Sequence, residues 1–329
     1  MYEDIDNARI LYGNSHPRLA INISKLTGIP LIECVCNQFA NKEINVSIKD
    51  NIRNKDILLI QTGCSTDKMS INDILMETLI MIDACKRSSV KSVTLIMPHY
   101  PYSRQDKKDE SRAPISAKLV AGMLTGAGID RLIVMDLHSS QIQGFFDIPV
   151  DNLYFVNLLK DYINKEVIKD KPEDFIVISP DAGAIKRNDA LSKLLSLPLG
   201  IMHKQRNYSV LNTVIKSVLI CDKELINNKT AIICDDMCDT GGSLISAVNS
   251  VMDHGAKDVI CVITHGILSE PAIDRLNLCP NVKKVIISSS IDQKEHLERC
   301  DKIYEFNISP ILSGIIKRIY NGESVSDLF

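Results

Sequence analysis

The chain has no apolar run of about 18 residues, so no membrane-spanning helix is expected. It has no basic excess either. Its 38 lysines and arginines face 41 aspartates and glutamates, a net charge of −3. A nucleic-acid-coating role therefore loses its electrostatic support, and any phosphate chemistry must come from local sites. The opening MYEDIDNARILYG is acidic and lacks the basic and apolar stretches of a secretory leader, so no leader is expected. The ten cysteines do not repeat as a zinc framework would; their nearest pairs are Cys34/Cys36 and Cys234/Cys238. Cys34, Cys64, Cys85, Cys234 and Cys261 sit in apolar runs and read as small buried hydrophobes, which points to a reducing cytoplasm.

What is present is an ordinary globular composition. Hydrophobic residues make up 45% and charged residues 24%, which argues against a disordered or collagen-like chain. A length of 329 residues suggests two domains, each able to bury a core. Short apolar runs alternate with helical stretches. The expected strands are Ala8–Tyr12, Asp56–Gln61, Ser92–Pro98, Arg131–Leu137, Phe175–Ser179, Pro198–His203, Ala231–Asp235, Asp258–Thr264 and Lys283–Ser288. Expected helices include Asn72–Arg87, Ile115–Thr125, Leu153–Asn164 and Ser243–His254. Strands alternating with helices imply parallel βαβ units, hence an α/β fold with helices on both faces of its sheets. Residues 128–138 align without gaps on residues 255–265, each copy running from a glycine through an apolar strand to a histidine. This hints at a duplicated unit, with a split near residue 152.

Five segments carry residues suited to chemistry. In Ala231–Ser243, an apolar strand runs into Asp235 and Asp236, then into Asp239-Thr-Gly-Gly-Ser243 and a helix. The backbone N–H groups of Thr240, Gly241, Gly242 and Ser243 at a helix start suit a phosphate, and the acid pair suits vicinal sugar hydroxyls. Together they describe a ribose phosphate; a plain Gly-Gly turn capped by Asp239 is the alternative. Met97–Pro114 holds His99, Tyr100 and Tyr102, then Arg104, Lys107, Lys108 and Arg112. Rings there can flank a base and arginine forks suit polyphosphate, unless the loop is merely a solvated one. His138 and Asp181 each follow a strand, where open α/β sheets bind ligands, and could hold a divalent metal; a structural histidine is the alternative. Lys204 and Arg206, one residue apart at a strand end, suit a transferring phosphate or form an exposed basic turn.

The stretches Arg104–Leu124, Met135–Tyr154, SPDAG, DDMCDTGGS and the tail NGESVSDLF, collinear over nearly the whole chain, resemble ribose-phosphate pyrophosphokinases, also called phosphoribosyl pyrophosphate synthetases. The likeness is greatest to the phosphate-activated, hexameric class. It implies two tandem type I phosphoribosyltransferase-like domains, each a mainly parallel sheet flanked by helices. Their expected extents are 1–152, with the tail 320–329 packing back on it, and 153–319, which carries the ribose 5-phosphate loop. The resemblance implies transfer of the β,γ-diphosphoryl group of MgATP to the 1-hydroxyl of ribose 5-phosphate, giving phosphoribosyl pyrophosphate and AMP. It assigns Asp239, Thr240, Gly241, Gly242 and Ser243 to the sugar phosphate and Asp235 and Asp236 to its hydroxyls. Arg104 and Gln105 would meet ATP, with Phe39, Asn41 and Glu43 contributed by a neighbouring subunit. His138 and Asp181 would contact Mg2+, and Lys204 and Arg206 would lie on a mobile catalytic arm. An activating inorganic phosphate would draw on Arg53, Arg112, Ser324 and Ser326. The expected assembly is a homo-oligomer, a hexamer built from dimers, with ATP and ribose 5-phosphate as its small-molecule partners.

The chain departs from that pattern in places. The connection within Leu211–Thr230 is longer, and three or four extra residues lie near Ser65–Ile71. Gln205, Ala184, Ser243 and Asn51 replace the family's usual residues. The longer connection motivates an alternative, a non-catalytic regulatory paralogue that associates with active subunits, although Lys204, Arg206, Asp181 and His138 are all retained. A second alternative is a phosphoribosyltransferase that consumes phosphoribosyl pyrophosphate, since DDMCDTGGS alone would fit one; the two expected domains speak against it.

Overall fold

The computed structural model describes residues 5–206, 214–221 and 223–325; for residues 203–206 and 214–219 it describes the backbone alone. The chain divides into two compact units, 1–153 with 289–292 and 307–329, and 154–288 with 293–306.

The first unit runs β1 (Ala8–Tyr12), α1 (Pro17–Thr27), β2 (Cys34–Gln38), β3 (Ile44–Ile48), β4 (Asp56–Ile60), α2 (Ile71–Arg87), β5 (Ser92–Ile96), α3 (Ser116–Ala127), β6 (Arg131–Met135) and β7 (Val150–Leu153). Its sheet has the order β1-β4-β5-β6-β7 with every neighbouring pair parallel, and β2 and β3 form a separate antiparallel ribbon. All five residues of β4 are buried, as expected where helices cover both faces of a parallel sheet. Local signals set the helix ends. The Ser70 hydroxyl accepts from Asp73 N while Ser70 N donates to Asp73 Oδ2, closing a capping box on α2, and Gly28 ends α1 at φ 79.

The second unit runs α4 (Phe155–Leu158), α5 (Lys160–Tyr162), β8 (Phe175–Ser179), α6 (Ile185–Leu195), β9 (Leu199–Arg206), β10 (Val214–Ile220), α7 (Lys223–Ile226), β11 (Thr230–Cys238), α8 (Gly242–Asp253), β12 (Asp258–Gly266), α9 (Ala272–Leu278), β13 (Val282–Ser288), α10 (Lys294–Arg299) and β14 (Ile303–Phe306). Its sheet order is β10-β9-β8-β11-β12-β13-β14, parallel except for β10. The order reverses between β8 and β11, the switch point where open α/β sheets bind ligands beyond their strands' carboxyl ends. A buried core centred on Ile176, Ile178, Ile233, Val248, Cys261 and Val285 lies on one side of this sheet.

Helix α11 (Ser309–Asn321) belongs to the first unit, where Lys317 Nζ donates to Leu26 O. Residues 289–292 join it through a hydrogen bond of 2.9 Å between His16 Nε2 and Ser289 O, Thr62 Oγ1 donating to Ser290 O and the Arg18–Asp292 ion pair at 2.8 Å. The expected second domain, 153–319, therefore loses 153, 289–292 and 307–319 to the first unit.

The α/β expectation holds, with two corrections to its detail. Leu153–Asn164 is not one helix: after α4 and α5 comes a π-helical turn, Ile163–Ile168. Ile163 and Ile168, five residues apart, are both buried; a 3.6-residue period would turn one of them away from the core. The gapless match of 128–138 with 255–265 is one strand out of step, because β12 holds the sheet position of β5 and not of β6. Both copies start from a glycine with positive φ (113° at Gly128, 98° at Gly255), so the likeness reports a shared way of leaving a helix. The repeat is clearer in the topology. Ile10 N donates to Pro30 O and Ile32 N to Ile10 O, so the chain entering β2 starts alongside β1 as β9 lies beside β8.

Ile233, wholly buried in β11, carries the second unit's core. Ile233→Ala is expected to lower unfolding stability in urea by about 2–5 kcal/mol; a loss below about 0.5 kcal/mol would contradict this packing.

Candidate active site

The site begins where two neighbouring strands part. β8 and β11 are paired only from Phe175/Thr230 to Ile178/Ile233. Beyond that point the backbone of β11 is completed by a side chain: Asn188, wholly buried on α6, donates to Cys234 O (2.8 Å) and accepts from Cys234 N (3.0 Å). The strands thus open a crevice without leaving Cys234's peptide groups unsatisfied, a costly defect if buried. Loops from the two strands flank this crevice. After β8, Ser179 Oγ donates to Asp181 O and Asp181 Oδ1 accepts from Ala184 N, fixing the turn into α6.

On the β11 side, Arg187 Nη1 lies 3.8 Å from Asp235 Oδ1 and 4.0 Å from Asp236 Oδ1, so one guanidinium serves both acids. Asp236 N donates to Asp235 Oδ1 at 2.9 Å. Burial of its carboxyl, then the negative Asp236 beside it, pushes Asp235 up to about 7 despite Arg187. About a third of the Asp235 side chain still meets solvent (34%), so a ligand can reach it. Asp235 and Asp236 lie together at the strand end, and Arg187, which pairs with both, is missed by the sequence reading. The signal available for it is Arg187's place in the first turn of the helix after SPDAG.

The next four residues make the turn into α8. Gly241 has φ 74, a conformation that strains any residue with a Cβ, and it caps α8 with no side-chain hydrogen bond. Arg275 Nη1 donates to Thr240 O at 2.7 Å, and a Cβ on Gly242 would stand 3.2 Å from that same nitrogen. Arg275 pins the loop from behind, a second supporting residue that the sequence reading misses. The N–H groups in the first turn of α8 have no acceptor within the helix, and the helix dipole adds partial positive charge there. Asp235, Asp236, Asp239, Thr240, Gly241, Gly242 and Ser243 thus fall on one strand end, one turn and one helix start.

Lys204 and Arg206 end β9, opposite Ser217 and Val214 of β10; their side chains lie outside the described residues. Asp181 is in the second unit and His138 in the first, exposed in the turn after β6.

In the first unit, Phe39, Asn41 and Glu43 form the tip of the β2–β3 ribbon. Phe39 N donates to Glu43 O, Lys42 N to Phe39 O and Glu43 N to Asn41 Oδ1. The Phe39 ring is 55% exposed, an unusual position for phenylalanine and one that invites a flat partner. Gln105 is held against the start of α3: its N donates to Tyr102 O, its O accepts from Ala117 N, and Ser116 Oγ hydrogen-bonds its side chain. Arg104 beside it is exposed. The expectation that His99 and Tyr100 could flank a base is corrected. Both are buried, His99 Nδ1 against Gly63 O at 2.7 Å and Tyr100 with its hydroxyl on Ala117 O at 2.9 Å, so they anchor the loop. Arg53 and Arg112 are exposed, Ser324 O accepts from Arg318 Nη1, and Ser326 lies outside the described residues. Among the described residues, no three His, Cys, Asp or Glu side chains cluster as a metal cage, and no helix is long and apolar enough to cross a membrane.

Fold and site together define an α/β protein of two units with a glycine turn leading into a helix at a sheet switch point. Residues 8–128 match the N-terminal domain of ribose phosphate pyrophosphokinase, and residues 218–329 match the phosphoribosyl synthetase-associated domain. The chain is 46% identical to ribose-phosphate pyrophosphokinase 4 of Saccharomyces cerevisiae, over 99% of this chain and 95% of that protein. It is 45% identical to ribose-phosphate pyrophosphokinase 2 of Schizosaccharomyces pombe, over 98% of each. The crystal structure of phosphoribosylpyrophosphate synthetase from Mycobacterium smegmatis matches with a TM-score of 0.87 at 38% identity, covering 96% of this chain and 99% of that one. The chain belongs to the ribose-phosphate pyrophosphokinase family.

A carboxyl group raised in the folded state binds its proton above the pH at which the unfolded chain has lost it. Stability is thus drained as pH rises from about 4 to about 7. In thermal unfolding without ligands, Asp235→Asn is expected to be more stable than the parent at pH 8, with the gap closing towards pH 4. A constant gap across that range would contradict the raised Asp235.

Proposed function

We propose that this protein transfers the β,γ-diphosphoryl group of MgATP to the 1-hydroxyl of ribose 5-phosphate, forming phosphoribosyl pyrophosphate and AMP. The observation that carries this reading is the turn at the switch point, with its left-handed Gly241, the amide-rich start of α8 and the Asp235–Asp236 pair one step upstream. The 5-phosphate sits on Thr240–Ser243 and Asp239, and the carboxylate oxygens of the acid pair accept from the ribose hydroxyls. The 1-hydroxyl oxygen attacks the β-phosphorus and its proton is lost to solvent; the bond from that phosphorus to the α-bridging oxygen breaks, and AMP leaves with that oxygen. The nucleophile is the sugar's own hydroxyl, so positioning and charge neutralisation do the catalysis.

Arg104, Gln105, Phe39, Asn41 and Glu43 are the ATP residues of this proposal, and Lys204 and Arg206 steady the charge that develops as AMP departs. Mg2+ is a hard cation that binds through one or two protein groups and the substrate's phosphates, which accords with single candidate ligands, Asp181 and His138, in place of a cage. When bound it supplies charge neutralisation on the phosphates. Activation by inorganic phosphate through Arg53, Arg112, Ser324 and Ser326, a hexamer built from dimers and a cytoplasmic location complete the proposal. The regulatory-paralogue reading is the weaker one, because the acid pair, the phosphate turn and its Arg187 and Arg275 supports are all intact.

The test is coupled detection of AMP and phosphoribosyl pyrophosphate from ATP and ribose 5-phosphate, with and without inorganic phosphate. Both products are expected in equal amounts, and a purified protein that makes neither contradicts the proposal. Lys204→Ala is expected to lower kcat by about a hundredfold or more, as loss of a transition-state donor does; an unchanged kcat at saturating substrates removes Lys204 from the reaction.

A further inference from the structure

Cys34 was expected to be a small buried hydrophobe, but the structure leaves it only half-buried, beside Cys36. They sit at i and i+2 of β2, so their side chains share one face of the ribbon. Their sulfurs are 3.6 Å apart, within thiol–thiol hydrogen-bonding distance, and both are half-buried. None of the ten cysteines is disulfide-bonded, and Cys64, Cys85, Cys234 and Cys261 are buried. Cys85 shows the contrast: full burial pushes its thiol up to about 12, which leaves it inert. At the pair, the Cys36 S–H hydrogen bond holds Cys34 below the ordinary thiol value while Cys36 itself is raised. A nucleophilic sulfur beside a sulfur that keeps its proton is the arrangement of an attacking and a resolving thiol.

We propose that Cys34 and Cys36 form a thiol–disulfide exchange site for low-molecular-weight disulfides. The Cys34 thiolate attacks one sulfur of the disulfide R–S–S–R, forming Cys34–S–S–R and releasing one thiolate, which takes up a proton. Cys36, giving up its own proton, then attacks the Cys34 sulfur, expels the second thiolate and closes Cys34–Cys36. The protein loses two electrons and two protons, and the small disulfide becomes two thiols. Closure draws the sulfurs from 3.6 Å to about 2.05 Å. Residues at i and i+2 of an extended strand are near the upper limit of disulfide reach, so the strand must bend. β2 can bend because, among the described residues, it is laddered to β3 alone, outside the main sheet. The resulting bond is strained and easily reduced, which suits a reversible modification. Phe39 lies three residues beyond Cys36, so the bend is delivered to the ribbon tip. That consequence rests on the proposed ATP role of Phe39, Asn41 and Glu43, whereas the sulfur chemistry does not.

The test incubates the full chain with glutathione disulfide, blocks remaining thiols by alkylation and maps the products by mass. The wild type is expected to lose two hydrogens across Cys34 and Cys36 with no adduct. Cys36→Ser is expected to stop at a mixed disulfide on Cys34, and Cys34→Ser to react at least about tenfold more slowly. Wild-type protein that keeps both thiols, or stops at a mixed disulfide, overturns the proposal, as does equal reactivity of the two variants. In the activity assay the closed form is expected to show a several-fold higher KM for ATP, restored by a dithiol reductant. An unchanged KM with the bond formed overturns the coupling to the tip. A protein without activity even when reduced contradicts the proposed reaction, and the mass arm still decides the sulfur chemistry.

Discussion

The functional architecture depends on one local constraint: β8 and β11 must separate at their carboxyl ends without stranding buried peptide groups. Parallel strands side by side in a sheet normally satisfy each other's backbone, so parting them costs hydrogen bonds. Asn188 meets this cost, because its amide both gives to and accepts from Cys234 in place of the absent strand neighbour. The separation lets the chain after Cys234 leave the sheet as Asp235, Asp236 and the glycine turn. Arg187, one residue before Asn188 on the same helix, is thereby placed against both acids. One turn of α6 therefore builds the crevice and sets its electrostatics.

The turn into α8 shows the same economy. Left-handed Gly241 brings the backbone round sharply, and Arg275 reaches across to Thr240 O and holds the turn from outside. Its donors are backbone N–H groups and its shape is set by backbone conformation. Under the proposed reading, serine at position 243 keeps the hydroxyl of the family's usual threonine beside the two glycines.

Much of this was legible in the sequence, and the exceptions have physical causes. Central β8 could be read because full burial makes it a continuous apolar run, and it falls on the expected bounds; so does β1, at the sheet edge, whose Ala8, Ile10 and Leu11 are buried. β2, β3, β7 and β14 escaped because they are partly exposed, and their residues, such as CVCNQ and VDNL, carry no strong apolar pattern. The acid pair and the glycine turn were legible because they are contiguous. Arg187, Asn188 and Arg275 were not, since their roles arise from long-range contacts that no local spacing encodes. His99 and Tyr100 misled for the opposite reason: residue types that bind bases also make good buried anchors, and only the structure distinguishes the two uses. The repeat misled in register, because a helix-ending glycine followed by a strand recurs at every βα step.

The central claim is that the turn between β11 and α8 grips a sugar phosphate through its backbone. The most direct measurement is a backbone amide NMR titration, following residues 240–244 as ribose 5-phosphate is added, with ribose as control. The account predicts saturable shifts concentrated on those amides with the phosphorylated sugar, and little response to ribose. Unmoved amides at 240–244, with shifts saturating elsewhere in the chain, would contradict it.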